Sequence, residues 1–251
     1  MLSGYRRYVT ISLSLLIACG FYAIIKRGAV HFIPAAVAET PKPRVLILDA
    51  GHGGADGGAV SVSGRKESEL NLDIAQRTEC LAAFFGVSAV MTRESEELPY
   101  PAEADTIAKM KRWDTRERVA RINSTPGAVL LSIHQNWYPA AQPHGPQVFY
   151  GRIGGSRAFA ERIQTLLSDN LCPDNRRLAV PCSDEVYIMN KADCPAVLVE
   201  CGFLSSVREA ALLELESYRL QIAMILTDSF LLYEGEQYEA QNEVFLHGVR
   251  Q

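Results

Sequence analysis

None of the chain's six cysteines is spaced C-x-x-C, which argues against a zinc site built from cysteine pairs. Cys19 lies in an apolar segment, and the other five (Cys80, Cys172, Cys182, Cys194 and Cys201) are an odd number, so at least one has no partner within the chain. Cys172 and Cys182 bracket a loop rich in Pro, Asn and Arg, a spacing that suits either a disulfide or two separate buried thiols. Basic charge is also scarce. Four of the 25 Lys and Arg residues precede Glu39 but none of the 29 acidic residues does, which leaves the rest of the chain at a net charge of −8. Nucleic-acid binding calls for a basic face, so a nucleic-acid partner is not expected. The glycine-rich stretch near residue 50 lacks the Gly-Lys-Ser/Thr of a phosphate loop, and Asp56 stands where a dinucleotide fingerprint needs its third glycine. There is no internal repeat.

One long uncharged run is present, from Val9 to Ile25, with Arg6-Arg7 before it and Lys26-Arg27 after it. It lies near the lower limit of roughly 17–25 residues for a membrane-spanning helix. The leading arginines would hold the N-terminus in the cytoplasm. Three readings compete: an uncleaved membrane anchor, a signal peptide cut after Ala36-Val37-Ala38, and a lipoprotein site at Leu16-Ile17-Ala18-Cys19. All three export the remainder. Residues 1–27 are thus expected to be a signal or anchor and 28–43, with Pro34, Pro41 and Pro43, a linker. A domain over 44–233 and a polar, loosely attached tail over 234–251 should follow.

Within the domain, branched apolar runs alternate with helical spacing. Val45 to Leu48, Val87 to Met91, Ala128 to Ile133 and Ala196 to Val199 read as strands, the first, third and fourth of them buried on both faces. Gln147 to Tyr150 is a further strand, and Val186 to Met189 a short extended piece. Helices are expected at Glu67 to Phe85, Trp113 to Asn123, Ser156 to Leu171, Val207 to Leu215 and Ser217 to Tyr233. Thr92 to Lys111, with Pro99 and Pro101, reads as a surface excursion. This alternation predicts an α/β three-layer sandwich with a mostly parallel central sheet flanked by helices.

Three of the strands end in an ionisable residue. Val45 to Leu48 runs through Asp49 into a glycine cluster around His52, Ala128 to Ile133 meets His134, and Ala196 to Val199 meets Glu200. Glu67 opens the helix after the glycine cluster. Singly, such residues are usually structural histidines or helix-dipole partners. If the strands are parallel neighbours, however, their carboxyl ends converge where ligands bind in open sheets. Two imidazoles and a carboxylate are a ligand set for hydrolytic zinc with one position left for water. An uncoordinated carboxylate would then move the proton, and Glu200 stands where that acid is needed.

Four segments, in order, carry a family resemblance. They are Asp-Ala-Gly-His-Gly-Gly at 49–54, Lys-Glu-Ser-Glu-Leu-Asn-Leu at 66–72, Ser-Ile-His-Gln-Asn at 132–136 and Val-Glu-Cys-Gly-Phe-Leu-Ser at 199–205. Together they resemble the catalytic domain of the zinc-dependent N-acetylmuramoyl-L-alanine amidases, the amidase-3 family, over Arg44 to Tyr233. The resemblance implies His52, Glu67 and His134 as Zn2+ ligands, Glu200 as the catalytic glutamate, and peptidoglycan as substrate, with Asn136 and Arg118 as substrate-binding residues. Asp114 and Arg118 match the family's Asp-Leu-x-x-Arg helix, with Thr115 in place of leucine. Ser206 stands where asparagine usually closes the fourth motif, and Trp137 where a small residue is common. A lone domain behind an N-terminal anchor, with Gly-Pro-Gln-Val-Phe-Tyr at 145–150, is similar to the spore-cortex branch, in which peptide removal precedes formation of muramic δ-lactam. Two rival readings are a zinc carboxypeptidase on the stem peptide, with Arg118 or Arg93 holding the terminal carboxylate, and a wall-binding domain with vestigial ligands.

Overall fold

The computed structural model describes residues 44–139 and 144–248. The expected anchor and linker at 1–43 lie outside these residues. Among the described residues no helix is long and apolar enough to cross a membrane.

Six strands form one sheet: β1 (Val45–Ala50), β2 (Ala89–Met91), β3 (Ala128–Asn136), β4 (Gln147–Tyr150), β5 (Val180–Pro181) and β6 (Ala196–Phe203). Their order is β2-β1-β3-β6-β4-β5. Pairing is parallel except between β4 and β6, which run antiparallel. The helices are α1 (Glu67–Phe84), α2 (Ile107–Ser124), α3 (Ser156–Leu171), α4 (Tyr187–Lys191), α5 (Val207–Glu214) and α6 (Glu216–Gly248).

The two-residue period of a strand sorts the core into two layers. Leu46, Leu48, Leu131, Ile133, Val197 and Val199 face one side and pack with Leu70 and Ile74 of α1, Phe159 and Ile163 of α3, and Leu226 and Phe230 of α6. Ile47, Leu130 and Leu198 face the other side, against Ile122 of α2 and Ile188 and Met189 of α4. The three-layer α/β sandwich expected from the sequence is therefore the fold.

Several details differ from expectation. β3 runs on through His134 to Asn136 and β6 through Glu200 to Phe203. Polar residues on one face hide strand that continues because the other face stays apolar. α2 begins at Ile107, capped by Thr106, whose hydroxyl accepts the Lys109 N–H. Only Arg118 and Ile122 of this helix are buried, so apolar periodicity could not reveal its first turns. Residues 187–191 form the short helix α4 rather than an extended piece. Cys172 and Cys182 are both free thiols, as are Cys80, Cys194 and Cys201. Beyond Tyr233, where a polar tail was expected, the chain stays helical and α6 continues to Gly248, with 249–251 outside the described residues. Arg44 pairs with Glu234 (3.3 Å) and Arg162 with Glu236, tying the first turn beyond Tyr233 to the body.

Candidate metal centre

Asp49, Ser132, His134 and Glu200 sit on the α2 side of the sheet by the same alternation that sends Leu48, Ile133 and Val199 to the other side. Parallel pairing sets Asp49 beside Ser132 and His134 beside Glu200. Polar side chains thus gather at the carboxyl ends of β1, β3 and β6, next to one another.

Beyond β1 the chain turns sharply, and His52 adopts a left-handed φ of 61°, a conformation that costs a non-glycine residue roughly 1–2 kcal/mol. Two buried arginines hold the turn through its carbonyl groups. Arg93 donates to the oxygens of Ala50 (2.9 Å), Gly51 (3.1 Å), Ser68 (2.7 Å) and Ser95 (3.1 Å), and to Glu96 (2.9 Å). Arg118 donates to the oxygens of Ala50 (2.6 Å) and His52 (2.6 Å), to Asp49 (2.8 Å), and through Nε to Asp114, which also forms an ion pair with Nη2 (2.8 Å). All five donors of the Arg93 guanidinium are engaged, and every nitrogen of the Arg118 guanidinium donates. Arg118, the substrate-binding candidate, is only 5% exposed, and its guanidinium bonds to the oxygens of the His52 turn. Both arginines are thus buried and bonded to the turn, which disfavours either as the cationic anchor of a carboxypeptidase.

The turn returns through the pairing of Val60 with Lys66 and delivers Glu67 as the first, buried residue of α1. Its Oε2 accepts the Ala59 N–H (2.9 Å), and its Oε1 accepts the Gln135 N–H (3.0 Å). Oε1 also lies 3.3 Å from His52 Nε2 and 3.1 Å from His134 Nδ1. The two imidazoles meet edge to face, with centroids 5.0 Å apart. Donor atoms of His52, Glu67 and His134 all lie within 4.8 Å of one another. Two glycines make this approach possible. A Cβ on Gly51 would overlap the His134 ring, and one on Gly58 (φ +67°) would stand 2.6 Å from Glu67 Oε2.

Sequence reasoning missed the carboxylate that orients His52. Asp56 Oδ2 accepts from His52 Nδ1 (2.9 Å) and from Lys111 Nζ (2.9 Å), turning Nε2 towards Glu67. Burial works against charge on His52, but Asp56 and Glu67 hold its pKa up at about 9. Against burial, the two histidines hold Glu67 well below the usual carboxylate range. Asp49 is likewise depressed: burial opposes its charge, and Arg118 and Ser132 outweigh it. Glu200 behaves in the opposite way. Burial pushes its carboxyl up to about 7, with His134 pulling down and Glu67 pushing up. Its Oε2 is buried and, among the described residues, has no hydrogen-bond partner.

Two imidazole nitrogens and one carboxylate oxygen, with an unsatisfied carboxylate across the β3–β6 pair, are donors suited to a divalent cation with an open position. Lys111, Thr115, Tyr187 and Leu198 line the groove beside them. Asn136, at the end of β3, is half-buried beyond a register shift, and its backbone oxygen accepts the Leu204 N–H (2.8 Å). Ser206 is the N-cap of α5, its hydroxyl accepting the Glu209 N–H (3.4 Å), a role that asparagine fills equally well.

Comparison with known proteins agrees with this geometry. Residues 46–229 match the family model described as N-acetylmuramoyl-L-alanine amidase. The chain belongs to the amidase-3 family. It is 34% identical over 197 residues to the germination-specific N-acetylmuramoyl-L-alanine amidase of Bacillus subtilis (strain 168), covering 77% of this chain and 81% of that one. The N-acetylmuramoyl-L-alanine amidase LytC of the same organism is 28% identical, and the match spans 75% of this chain but only 35% of LytC. Among solved structures, the CwlD amidase from Clostridioides difficile, determined in complex with the GerS lipoprotein, superimposes with a TM-score of 0.73 at 30% identity. That match covers 76% of this chain and 98% of CwlD. The amidase is therefore an enzyme of the muramoyl-alanine class acting on peptidoglycan, which sets aside the vestigial wall-binding reading.

Proposed function

We propose that this amidase is zinc-dependent, with His52, Glu67 and His134 as ligands and Glu200 as the proton carrier. Its reaction would be hydrolysis of the amide between the lactyl group of N-acetylmuramic acid and the L-alanine of the stem peptide. The observation that carries this reading is Glu200 Oε2, a buried carboxylate oxygen without a partner beside a His/Glu/His cluster. When bound, zinc polarises the carbonyl and makes water a competent nucleophile near neutral pH. Glu200 takes the proton of the attacking water and returns it to the amine of L-alanine as the amide bond breaks. Asp56 keeps Nε2 of His52 directed inwards, and the Gln135 and Ala59 amides fix the Glu67 carboxylate. Asn136 at the rim would contact the substrate.

The germination-specific relative and the CwlD neighbour favour a role in the spore cortex, where removal of the stem peptide leads to muramic δ-lactam. Action outside the cytoplasm, from an N-terminal anchor over residues 1–27, suits a wall substrate. The test is mass analysis of muropeptides released from purified peptidoglycan, with and without chelator. Intact stem peptides that appear only without chelator support the reading. Stem peptides shortened by one residue would support a carboxypeptidase instead.

A further inference from the structure

A second group of metal-competent side chains lies apart from the amidase centre. We infer that His144, Cys172 and Asp174 form a second divalent-cation site of zinc type, fastening the segment before β4 to the end of α3. Their donor atoms fall within 4.8 Å of one another. Cys172 is the C-cap residue of α3, and its Sγ lies 3.2 Å from Asp174 Oδ1. His144 Nε2 lies 3.4 Å from Asp174 Oδ2.

The surrounding backbone is built to hold these groups together. Asn175, buried, donates through Nδ2 to the Pro146 oxygen (2.8 Å), and its own N–H binds the Cys172 oxygen (2.8 Å). Residues 144–146 are thereby pressed against the turn at 172–175. Gly145 takes a left-handed φ of +80°, and a Cβ there would come within 3.1 Å of Cys172 Sγ and 3.0 Å of Asn175. Only glycine lets the chain lie so close at that φ. The Gly145 N–H donates to Glu209 Oε1 (2.6 Å), and Glu209 Oε2 accepts the Phe203 N–H (2.7 Å) at the end of β6. A cation here would thus brace the β4–β6 edge, in which Gln147 pairs with Glu200.

The donor set selects the metal. Thiolate and imidazole favour zinc over magnesium or calcium, and three protein ligands leave one position for water. Burial and Asp174 raise the Cys172 thiol to about 11, so binding must displace its proton. Sulfur also separates this site from the amidase centre, whose three donors are nitrogen and oxygen.

The experiment loads the reduced full-length protein with Co2+ and records the near-ultraviolet thiolate-to-cobalt charge-transfer band. We expect the band in the wild-type protein, its loss in Cys172→Ser and His144→Gln, and the loss of one metal equivalent with it. His134→Ala should keep the band, so failure of the amidase-centre reading would not disturb this result. A folded His144→Gln protein, verified by circular dichroism, guards against misfolding of the cysteine variant. Zinc should also slow alkylation of Cys172, read by peptide mass spectrometry. Absence of the band in the wild-type protein, or its survival in Cys172→Ser, would overturn the inference.

Discussion

Replacing Arg118 by lysine separates a structural arginine from a substrate-binding one. Lysine keeps the charge but presents a single ammonium where the guanidinium makes five bonds, to Asp49, Asp114 and the oxygens of Ala50 and His52. The carbonyl groups of the His52 turn lose their donors, and the buried Asp49 and half-buried Asp114 keep only part of their counter-charge. Removing one partner of a buried pair costs about 3–5 kcal/mol, and with one ion contact retained we expect about 3 kcal/mol. For a domain of this size that lowers Tm by about 6–12 °C. The assay is denaturant unfolding of Arg118→Lys beside the wild-type protein, with metal affinity measured on the folded fraction. Metal affinity should fall as well, because the same arginine fixes the backbone of His52. Unchanged stability together with a raised KM for peptidoglycan fragments would instead assign Arg118 to the substrate.

Asp56→Ala leaves His52 Nδ1 without its acceptor and should weaken metal binding about 10–100-fold, measured by competition with a chromophoric chelator. Gly51→Ala drives a methyl group into the His134 ring, so metal content should drop and stability fall by about 1–3 kcal/mol, as overpacking does. Asp73 accepts hydrogen bonds from Arg77 and from the buried Arg219, and although burial opposes its charge these arginines depress its pKa. Its contribution is therefore fully present above the unfolded value of about 3.9 and is lost as pH falls through the lower folded value. Asp73→Asn should cost about 1–2 kcal/mol at pH 7, with the gap to the wild-type protein closing on acidification in pH-dependent melts.

What the sequence revealed follows from where the chain spends its apolar residues. β1, β4, α1 and α3 were legible because buried runs and helical spacing mark them directly. His52, Glu67, His134 and Glu200, each at the edge of such a pattern, are brought together by the fold. α2 was half hidden because only two of its side chains reach the core. α6 runs on past Tyr233, where Glu234 and Glu236 pair with Arg44 and Arg162, residues remote in sequence. The roles of Arg118, Arg93 and Asp56 were invisible for the same reason: their bonds run to backbone oxygens or to a turn whose shape only the fold defines.

If two imidazoles and Glu67 hold the cation while Glu200 carries the proton without holding it, metal content and turnover part company in two variants. Metal content and turnover of peptidoglycan, measured together on Glu200→Ala and His134→Ala, test this most directly. Glu200→Ala should keep its metal and lose about 10²–10⁴-fold in rate, whereas His134→Ala should lose both. Full turnover in Glu200→Ala, or full metal content in His134→Ala, would contradict it.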